Sequence, residues 1–416
     1  MLVSVLLMAT IFGTIVNAFS LFALPVSKEI PTISIAMFTI AYSFITLAAI
    51  PLSPLVGNLL KKWDARVVIV AGIVLAAAAN IGLSFTHDVA WLYAMTVIQG
   101  AAVTLGTTIP IATVLTNWFV RHRGLALGIA MAGSGLGGLV FVPLIDGLLI
   151  PGYGWRTTYL VLAAIQVILL VPLTLWIIRT RPEEKGLRAL GAEDAAASGR
   201  PAPDAHGLTQ GQMIRTPAFW LLGLALLAAG ISVNGMISNF KPILVALNSP
   251  AAVAGWILST VGLFVMFGKF ATGWLFDRLG LLVAIVAVSA ANALQFFFML
   301  APTTVVNGTL FNLLHGFGAT MVTVTPAYLA ARLFGQKHYA ANYGWVSAFA
   351  MAGAGVAPLF GGLFYGSSKA TSDAAHATTL VWAWLVMGLI GLGLYIVTVL
   401  LKPRWEPEGY RAPSSH

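Results

Sequence analysis

Lys269 is a basic residue in the middle of a long apolar segment, and its charge is the strongest chemical signal in this sequence. It lies in the run 261–276, far from both ends of that run. A cation at the centre of a membrane helix costs at least about 2.5–3.5 kcal/mol on insertion scales, so it usually has a partner or a function. Such a lysine either reaches a wet crevice or the membrane interface, or it binds an anion. We favour the anion site.

Two titratable residues lie inside other apolar segments. His315, in the run 312–318, can change its charge near neutral pH and is a candidate proton carrier and substrate contact. A neutral histidine that is hydrogen-bonded within a helix bundle is the alternative. Asp146, in the run 142–147, is the second candidate proton carrier, although we favour a hydrated position at the outer mouth of its segment.

The elements that must position these residues are membrane-spanning helices. Apolar residues make up 59% of the chain and charged residues 8%, against about 25% charged residues in soluble domains. Apolar segments recur along the chain, and each is long enough to cross about 30 Å of hydrocarbon. The sequence therefore predicts an all-α polytopic membrane protein with twelve transmembrane helices. They are expected at roughly 2–24, 33–60, 67–86, 91–118, 124–149, 157–178, 217–240, 252–276, 281–300, 306–331, 342–365 and 379–401.

The net charge of +9 reflects membrane topology and does not indicate nucleic-acid binding. When the N-terminus is placed inside, seventeen Lys and Arg residues fall in inner loops and four in outer loops. Because basic residues are enriched in cytoplasmic loops, this bias predicts a multi-pass protein of the cell (inner) membrane with both termini in the cytoplasm. The N-terminal apolar run has no basic region before it, so we expect a spanning helix and not a cleaved signal.

Several classes of site are excluded by the residues. The chain has no cysteine, so it can form neither a disulfide framework nor a thiolate metal site. The sequence also lacks a P-loop and an H-E-x-x-H motif, which argues against direct ATP drive and against an intramembrane metallohydrolase. We therefore expect no cofactor, no metal site and no enzymatic activity.

One long polar segment, residues 179–216, divides the chain. It is rich in charged and small residues, and we predict a mostly disordered cytoplasmic linker there. The predicted domains are an N-terminal six-helix bundle at 1–178, a C-terminal six-helix bundle at 217–402 and a cytoplasmic tail at 403–416.

The two halves resemble each other in sequence. Ala130-Met-Ala-Gly-Ser-Gly135 matches Ala350-Met-Ala-Gly-Ala-Gly355 at an offset of 220. Gly57-Asn-Leu-Leu-Lys-Lys62 matches Gly273-Trp-Leu-Phe-Asp-Arg278 at an offset of 216. Two matches at nearly equal offsets predict a duplicated six-helix unit, with the halves related by an approximate two-fold axis along the membrane normal. In transporters, parallel repeats of this kind place a binding site at their interface near the bilayer midplane.

The second pair of segments resembles the loop signature G-x-x-x-D-R-x-G of the major facilitator superfamily. The residues that match it are Gly273, Asp277, Arg278 and Gly280. The resemblance implies that they form a gating motif between the eighth and ninth helices. The first copy departs from the signature, with Lys61 where the acid is expected and Asp64 where the second glycine falls. We therefore do not expect the first copy to contribute the same gating ion pair.

Other segments resemble two related groups of that superfamily. Residues 117–133 are similar to the helix-5 signature of monocarboxylate porters, and residues 215–220 and 342–344 are similar to motifs of the oxalate/formate antiporters. The antiporters carry a basic residue eight positions before the signature acid, so the resemblance assigns an anion-binding role to Lys269. Their second basic residue corresponds to Ala350 here, which favours a singly charged carboxylate over a dianion. The helix-1 signature of animal monocarboxylate porters is absent.

Uncharged polar residues on the predicted helices complete the candidate site. Most such residues join helices by hydrogen bonds, and only some contact a substrate. The resemblance favours Asn17 and Asn234, because the first and seventh helices line the central cavity in that fold. Tyr328 is a further candidate substrate contact. The tenth helix borders the same cavity, so His315 belongs to this predicted set with Lys269.

Together these features predict a secondary active transporter that moves a small organic monocarboxylate, similar to lactate or pyruvate, by alternating access. Either proton symport, through His315 or Asp146, or anion exchange would couple the transport. A proton-coupled exporter of drugs or other organic solutes is the alternative. An exporter of that kind would need an acidic residue on the first or fourth helix, and the sequence has none there. We expect a monomer in the lipid bilayer.

Overall fold

The structure is a computed structural model that describes residues 1–191, 207–365 and 374–401, and these residues are almost entirely helical. The long helices group into twelve, α1 to α12. Those of the first half are α1 (Leu2–Asn17 and Phe19–Glu29), α2 (Ile35–Lys62), α3 (Ala65–Ser84), α4 (Val89–Gly106 and Thr108–Trp118), α5 (Arg123–Leu144 and Ile145–Leu149) and α6 (Ile150–Ile165, Gln166–Leu170 and Val171–Ile177). Those of the second half are α7 (Pro217–Ala246), α8 (Ala251–Arg278), α9 (Leu281–Met299), α10 (Val305–Gly318, Ala319–Val322 and Val324–Phe334), α11 (Tyr339–Tyr365) and α12 (Ala374–Leu400).

Side-chain caps begin several of these helices at the point where the sequence turns apolar. Thr216 Oγ1 accepts a hydrogen bond from Phe219 N at 3.3 Å, and Pro217 lies in the first turn of α7. Proline is favoured there because its missing N–H would have no partner within the helix. Ser34 and Thr304 cap α2 and α10 in the same way. Each cap satisfies a backbone N–H group that the helix itself leaves without an acceptor.

Several of the membrane helices are broken, and two extend beyond the predicted spans. Among the described residues, eight helices are long and apolar enough to cross a membrane, and α1, bent by 43° between its two parts, makes a ninth. One of the eight, Arg123–Ile177, contains two passes, because Gly154 (φ 76°) interrupts the helical backbone. The prediction of twelve helices is confirmed. Two of them extend past their predicted ends, α1 to Glu29 and α7 to Ala246.

The two halves pack internally in the same way. A Cβ atom added at Gly133 of α5 would lie 2.4 Å from Val5 O of α1. A Cβ atom added at Gly353 of α11 would lie 2.3 Å from Leu227 O of α7. Gly133 and Gly353 match in sequence at the offset of 220, whereas the closest glycine pairs of these interfaces, Gly13–Gly137 and Gly230–Gly353, correspond at offsets of 217 and 216. Small residues permit such close approach between membrane helices. The contacts α1–α5 and α7–α11 are therefore corresponding interfaces of two related bundles.

The prediction of a mostly disordered linker is wrong for the described parts of the segment 179–216. Pro182–Lys185 forms a 3₁₀ turn. Leu190 pairs with the backbone that follows α4, since its N–H donates to Trp118 O at 2.9 Å. Gln210–Ile214 is a short helix with a capping box. Hydrogen bonds to neighbouring backbone order these parts despite their polar composition, and residues 192–206 lie outside the described residues.

Candidate functional site

The two halves meet closely at one end of the molecule, the closed end, where α2 packs on α11 and α5 packs on α8. A Cβ atom added at Gly57 would lie 2.3 Å from Ala340 O, and one added at Gly344 would lie 2.4 Å from Ser53 O. α5 and α8 approach equally closely, because a Cβ atom at Gly273 would lie 2.2 Å from the carbonyl oxygen of Gly124. Backbone-to-backbone contacts therefore seal this end.

Asp277 joins the two halves at the closed end. Its two carboxylate oxygens accept hydrogen bonds from the backbone N–H groups of Gly124, at 2.9 Å, and Leu125, at 2.8 Å. These N–H groups belong to the first turn of α5, where the helix dipole favours a negative charge. The acid of the signature thus caps a helix of the opposite half. Arg278 is exposed at the end of α8, and Gly280 (φ 77°) makes the turn into α9.

The first copy of the signature makes a different connection. Asp64 Oδ1 accepts from Arg66 N and from Thr180 Oγ1, both at 2.8 Å, which ties the start of α3 to the end of α6 within one half. Partial burial alone would raise the pKa of the Asp64 carboxyl, but hydrogen bonds from Arg66 and Thr180 outweigh it and lower the pKa to about 2. Lys61, in the position of the signature acid, is exposed. Among the described residues, the ion pairs of this copy, Arg66 with Asp64 and with Glu184, do not cross between the halves.

Replacing Gly273 by alanine should open the closed end. The new methyl group would lie 2.2 Å from Gly124 O, so α5 and α8 would have to separate, at a cost of about 1–3 kcal/mol. We expect slower transport and a lower midpoint of thermal unfolding. Gly255→Ala is the matched control, because Gly255 lies on the same helix with no atom within 4 Å of its added Cβ. Equal behaviour of the two variants would contradict the assigned role of the α5–α8 contact.

Lys269 lies within α8 and is 3% exposed. Its ammonium group donates a hydrogen bond to Ser134 Oγ of α5 at 2.5 Å and lies 5.9 Å from the centre of the Phe12 ring of α1. Both partners belong to the opposite half of the molecule. Within the described residues, no carboxylate lies within ion-pair distance of the ammonium group. The lysine therefore crosses the interface between the halves and meets only neutral groups.

Ser134 links the lysine to Asn17. Its carbonyl oxygen accepts a hydrogen bond from Asn17 Nδ2 at 2.7 Å, and its hydroxyl donates to Met131 O at 3.0 Å. Asn17 is exposed and ends the π-helical part of α1. The structure thus brings two predicted site residues, Lys269 and Asn17, to the same serine. Polar groups of α1, α5 and α8 converge there.

The backbone of Lys269 is held from two sides. A Cβ atom added at Gly128 of α5 would lie 2.5 Å from Lys269 O, and one added at the neighbouring Gly268 would lie 2.2 Å from Gly316 C of α10. Because glycines let both helices approach α8 at this level, the start of the lysine side chain is fixed. The long side chain then needs little further ordering to reach Ser134.

His315 is buried in the second half, on α10. Its Nδ1 lies 2.6 Å from Gln295 Oε1 of α9, and its ring stacks on Phe311 at 5.4 Å between centres. The Gln295 amide nitrogen already donates to Asn292 Oδ1, so its oxygen accepts and His315 Nδ1 carries the proton. This geometry matches the alternative of a histidine that joins helices. No hydrogen bond connects His315 to Lys269 in the described part of the chain.

Three other predicted site residues lie on α7, on α10 and near the end of α5. Tyr328 is buried in the last part of α10, where its hydroxyl donates to Phe276 O at 3.0 Å and its ring stacks on Phe276. Seven residues of α8, roughly 10 Å, separate Phe276 from Lys269, so the structure does not bring Tyr328 to the lysine. Asn234 is half-buried on α7 and donates to Gly230 O. Asp146 is exposed at the end of α5 far from the closed end.

Two hydrogen-bond partners, Ser134 of Lys269 and Gln295 of His315, were not among the residues predicted from the sequence. Ser134 lies in the repeated segment 130–135, and its equivalent in the second copy is Ala354. That loss of a hydroxyl between otherwise matching segments is the signal that could have marked it. Gln295 lies in a mostly apolar helix that also carries Ser289 and Asn292, and nothing in its local sequence points to His315. The Lys269–Ser134 contact joins helices of the two halves, and the His315–Gln295 contact joins the consecutive helices α9 and α10.

The larger of the two cavities described is not the candidate site. It has a volume of about 640 Å³ and is lined by apolar residues of α1, α5, α8 and α10. Lys269 does not line it, and its α8 residues Leu263, Phe267 and Phe270 are 45–54% exposed. A groove of this kind on a membrane helix suits acyl chains and offers an anion no polar group.

Comparisons with known proteins agree with this architecture. A family model described as Major Facilitator Superfamily matches residues 5–313. The oxalate:formate antiporter of Oxalobacter formigenes is 26% identical over 412 residues, covering 97% of this chain and 91% of the antiporter. Monocarboxylate transporter 12 of Mus musculus is 29% identical over 250 residues, covering 56% of this chain and 50% of that protein.

Solved structures show the same fold at low sequence identity. The human organic anion transporter MFSD10 (TETRAN) superposes with a TM-score of 0.69 at 16% identity, over 94% of this chain and 98% of that chain. The proton:xylose symporter XylE superposes with a TM-score of 0.71 at 14% identity, over 97% and 95%. With the matched family model and the twelve-helix, two-bundle architecture, these findings show that the chain belongs to the Major Facilitator Superfamily and is a membrane transporter, not an enzyme.

Proposed function

We propose that this chain is a secondary active transporter of a small organic monocarboxylate, and that it works by alternating access with anion exchange. The burial of Lys269 against neutral partners carries the proposal. A desolvated ammonium group that meets only a hydroxyl and a ring is costly, because neither supplies a negative charge. One bound carboxylate would supply that charge. The names of two relatives, an oxalate:formate antiporter and a monocarboxylate transporter, support an anionic substrate.

The contact between Lys269 and Ser134 supports exchange. The lysine donates to the serine hydroxyl of the opposite half, and a substrate carboxylate would take the place of that hydroxyl. Closing the site around the unpaired ammonium requires its desolvation, and the bound anion offsets that cost. The loaded carrier therefore changes its orientation readily, and the empty carrier does so slowly. This difference couples the entry of one anion to the exit of another.

Counterflow in proteoliposomes tests the proposal. Vesicles loaded with unlabelled lactate, pyruvate or formate should transiently accumulate the labelled form of the same acid, and vesicles loaded with sucrose should not. Oxalate should be a poorer substrate, because one ammonium group neutralises one charge. Accumulation of oxalate together with failure of every monocarboxylate would overturn the assignment of substrate charge.

The expected topology assigns the closed end to the cytoplasm. The basic residues counted as inner include Lys61, Arg278 and Lys337, which lie at this end, and cytoplasmic loops are enriched in such residues. With both termini in the cytoplasm of a cell membrane, the contacts of the closed end would lie on the cytoplasmic side. A C-terminal epitope tag that is digested by protease from outside in right-side-out vesicles would contradict this topology.

The alternative coupling, proton symport through His315, makes a separate prediction. Glutamine at position 315 can still donate to Gln295 but does not titrate between pH 5 and 8. If exchange through Lys269 is the mechanism, His315→Gln should leave both exchange and the pH profile of net uptake unchanged. Net uptake and exchange would be measured from pH 5 to 8 in proteoliposomes. A flattened profile of net uptake with intact exchange would instead identify His315 as the proton carrier.

A further inference from the structure

A second cavity lies at the closed end between the two halves and has a volume of about 400 Å³. The first half contributes the end of α2 and the segment that follows α6, and the second half contributes the loop between α10 and α11. The basic residues that line the cavity are Lys61, Arg181, Arg188, Lys337 and His338. The signature and the Lys269 site leave this cavity without a role.

The lining of this cavity is strongly basic. Four residues carry a fixed positive charge, and among the described lining residues Glu183 is the one acid. Partial burial and the charges of Lys61 and Lys337 lower the pKa of His338, as expected for a site of positive potential. Residues of like charge from both halves repel each other when the closed end forms, unless an anion lies between them.

The first two residues of α11, Tyr339 and Ala340, also line this cavity. At the corresponding start of α5, the carboxylate of Asp277 accepts two backbone hydrogen bonds. The offset of 216 places Lys61 in the position of Asp277. Within the described residues, no carboxylate accepts a hydrogen bond from the first turn of α11. The first copy of the signature therefore lacks the carboxylate that would cap α11. Lys61, which stands in the position of that carboxylate, lines the cavity.

We propose that this cavity binds a phosphate-type oxyanion, which replaces the missing carboxylate and holds the closed end shut. Its walls belong to both halves, so the binding site is complete only while the halves are in contact. An anion that binds one conformation more tightly shifts the population towards it. Soluble phosphate and the phosphate of a phospholipid headgroup share this chemistry. The proposal adds regulation to the transporter and does not depend on the transported substrate.

Spin labels on the two halves would report the closure of this end. Val67 of α3 and Val283 of α9 are equivalent at the offset of 216 and are 48% and 56% exposed, so Val67→Cys/Val283→Cys can be labelled selectively in a chain that has no native cysteine. Double electron–electron resonance would then be measured in detergent with inorganic phosphate or with chloride at equal ionic strength. Phosphate should increase the short-distance population if the anion is soluble.

A second measurement distinguishes the lipid source. The same labelled protein would be placed in phosphatidylcholine nanodiscs with or without phosphatidic acid. An increase of the short-distance population with phosphatidic acid but not with free phosphate assigns the site to a headgroup, which supports the proposal as well. Failure of both phosphate and phosphatidic acid to change the distances would overturn it.

Variants of the lining separate a built site from general surface charge. Lys61→Gln should weaken the response to the effective anion about tenfold, as expected for the loss of one charge-assisted contact. Lys62→Gln is the matched control, because Lys62 is the adjacent exposed lysine and does not line the cavity. Lys61→Asp restores a carboxylate and should give the short distance without phosphate. Equal loss of the response in Lys61→Gln and Lys62→Gln would contradict the proposal.

Discussion

Replacing Lys269 by glutamine should reduce monocarboxylate transport at least about thirtyfold. Removing one partner of a buried, hydrogen-bonded charge pair costs about 2–5 kcal/mol, and Lys269 has no second cation beside it among the described residues. The protein should still insert and fold, because the substitution removes the cost of a buried charge. Counterflow and thermal unfolding of the purified variant would measure the two effects separately.

Two further variants make the test of Lys269 specific. Lys269→Arg keeps the charge, but its planar guanidinium does not reproduce the point geometry of an ammonium group, so we expect partial transport. Lys28→Gln removes an equivalent charge from the end of α1 far from the site and should transport normally. Normal transport by Lys269→Gln would remove the lysine from the substrate site. An unfolded Lys269→Gln protein would contradict the expected gain in stability.

Replacing Asp277 by asparagine should also impair transport strongly. The carboxylate accepts from two backbone N–H groups of α5, one with each oxygen, whereas an amide has a single oxygen and would turn its own N–H groups towards the second donor. Hydrogen bonds to charged groups contribute about 1.5–3 kcal/mol. We therefore expect about tenfold slower transport and a greater population of molecules that are open at the closed end, measured with the spin-labelled pair.

Asp88→Asn is the matched control for Asp277→Asn. Asp88 also caps a helix, since its Oδ1 accepts from Trp91 N at 2.7 Å at the start of α4. Asp88 directly precedes the helix that it caps, whereas Asp277 caps a helix of the opposite half. Asparagine is as good a cap as aspartate in that position. Transport should therefore be unchanged in Asp88→Asn. An Asp277→Asn variant with unchanged distances between the spin labels would show that the carboxylate does not hold the halves together.

The broad features of this protein follow from its local sequence. Apolar length predicts the twelve helices, and two matched segments predict the repeat, which Gly137 and Gly353 display in their packing. The resemblance of the signature segments indicates the superfamily, which the matched family model shows. The candidate role of Lys269 follows from its charge in an apolar run, because the cost of burying a cation depends on composition and depth and not on the partners.

The contacts that make a site depended on the tertiary structure. A soluble helix shows its inward face by an apolar stripe, but a membrane helix is apolar towards both lipid and protein, so the sequence does not reveal its rotation. Ser134 is a partner of Lys269 only because the glycines of α5 and α8 bring these helices together. Helix packing likewise places Tyr328 against Phe276 and His315 against Gln295. The sequence by itself determined which charges must be buried, and the packing of the helices against one another decided which groups meet them.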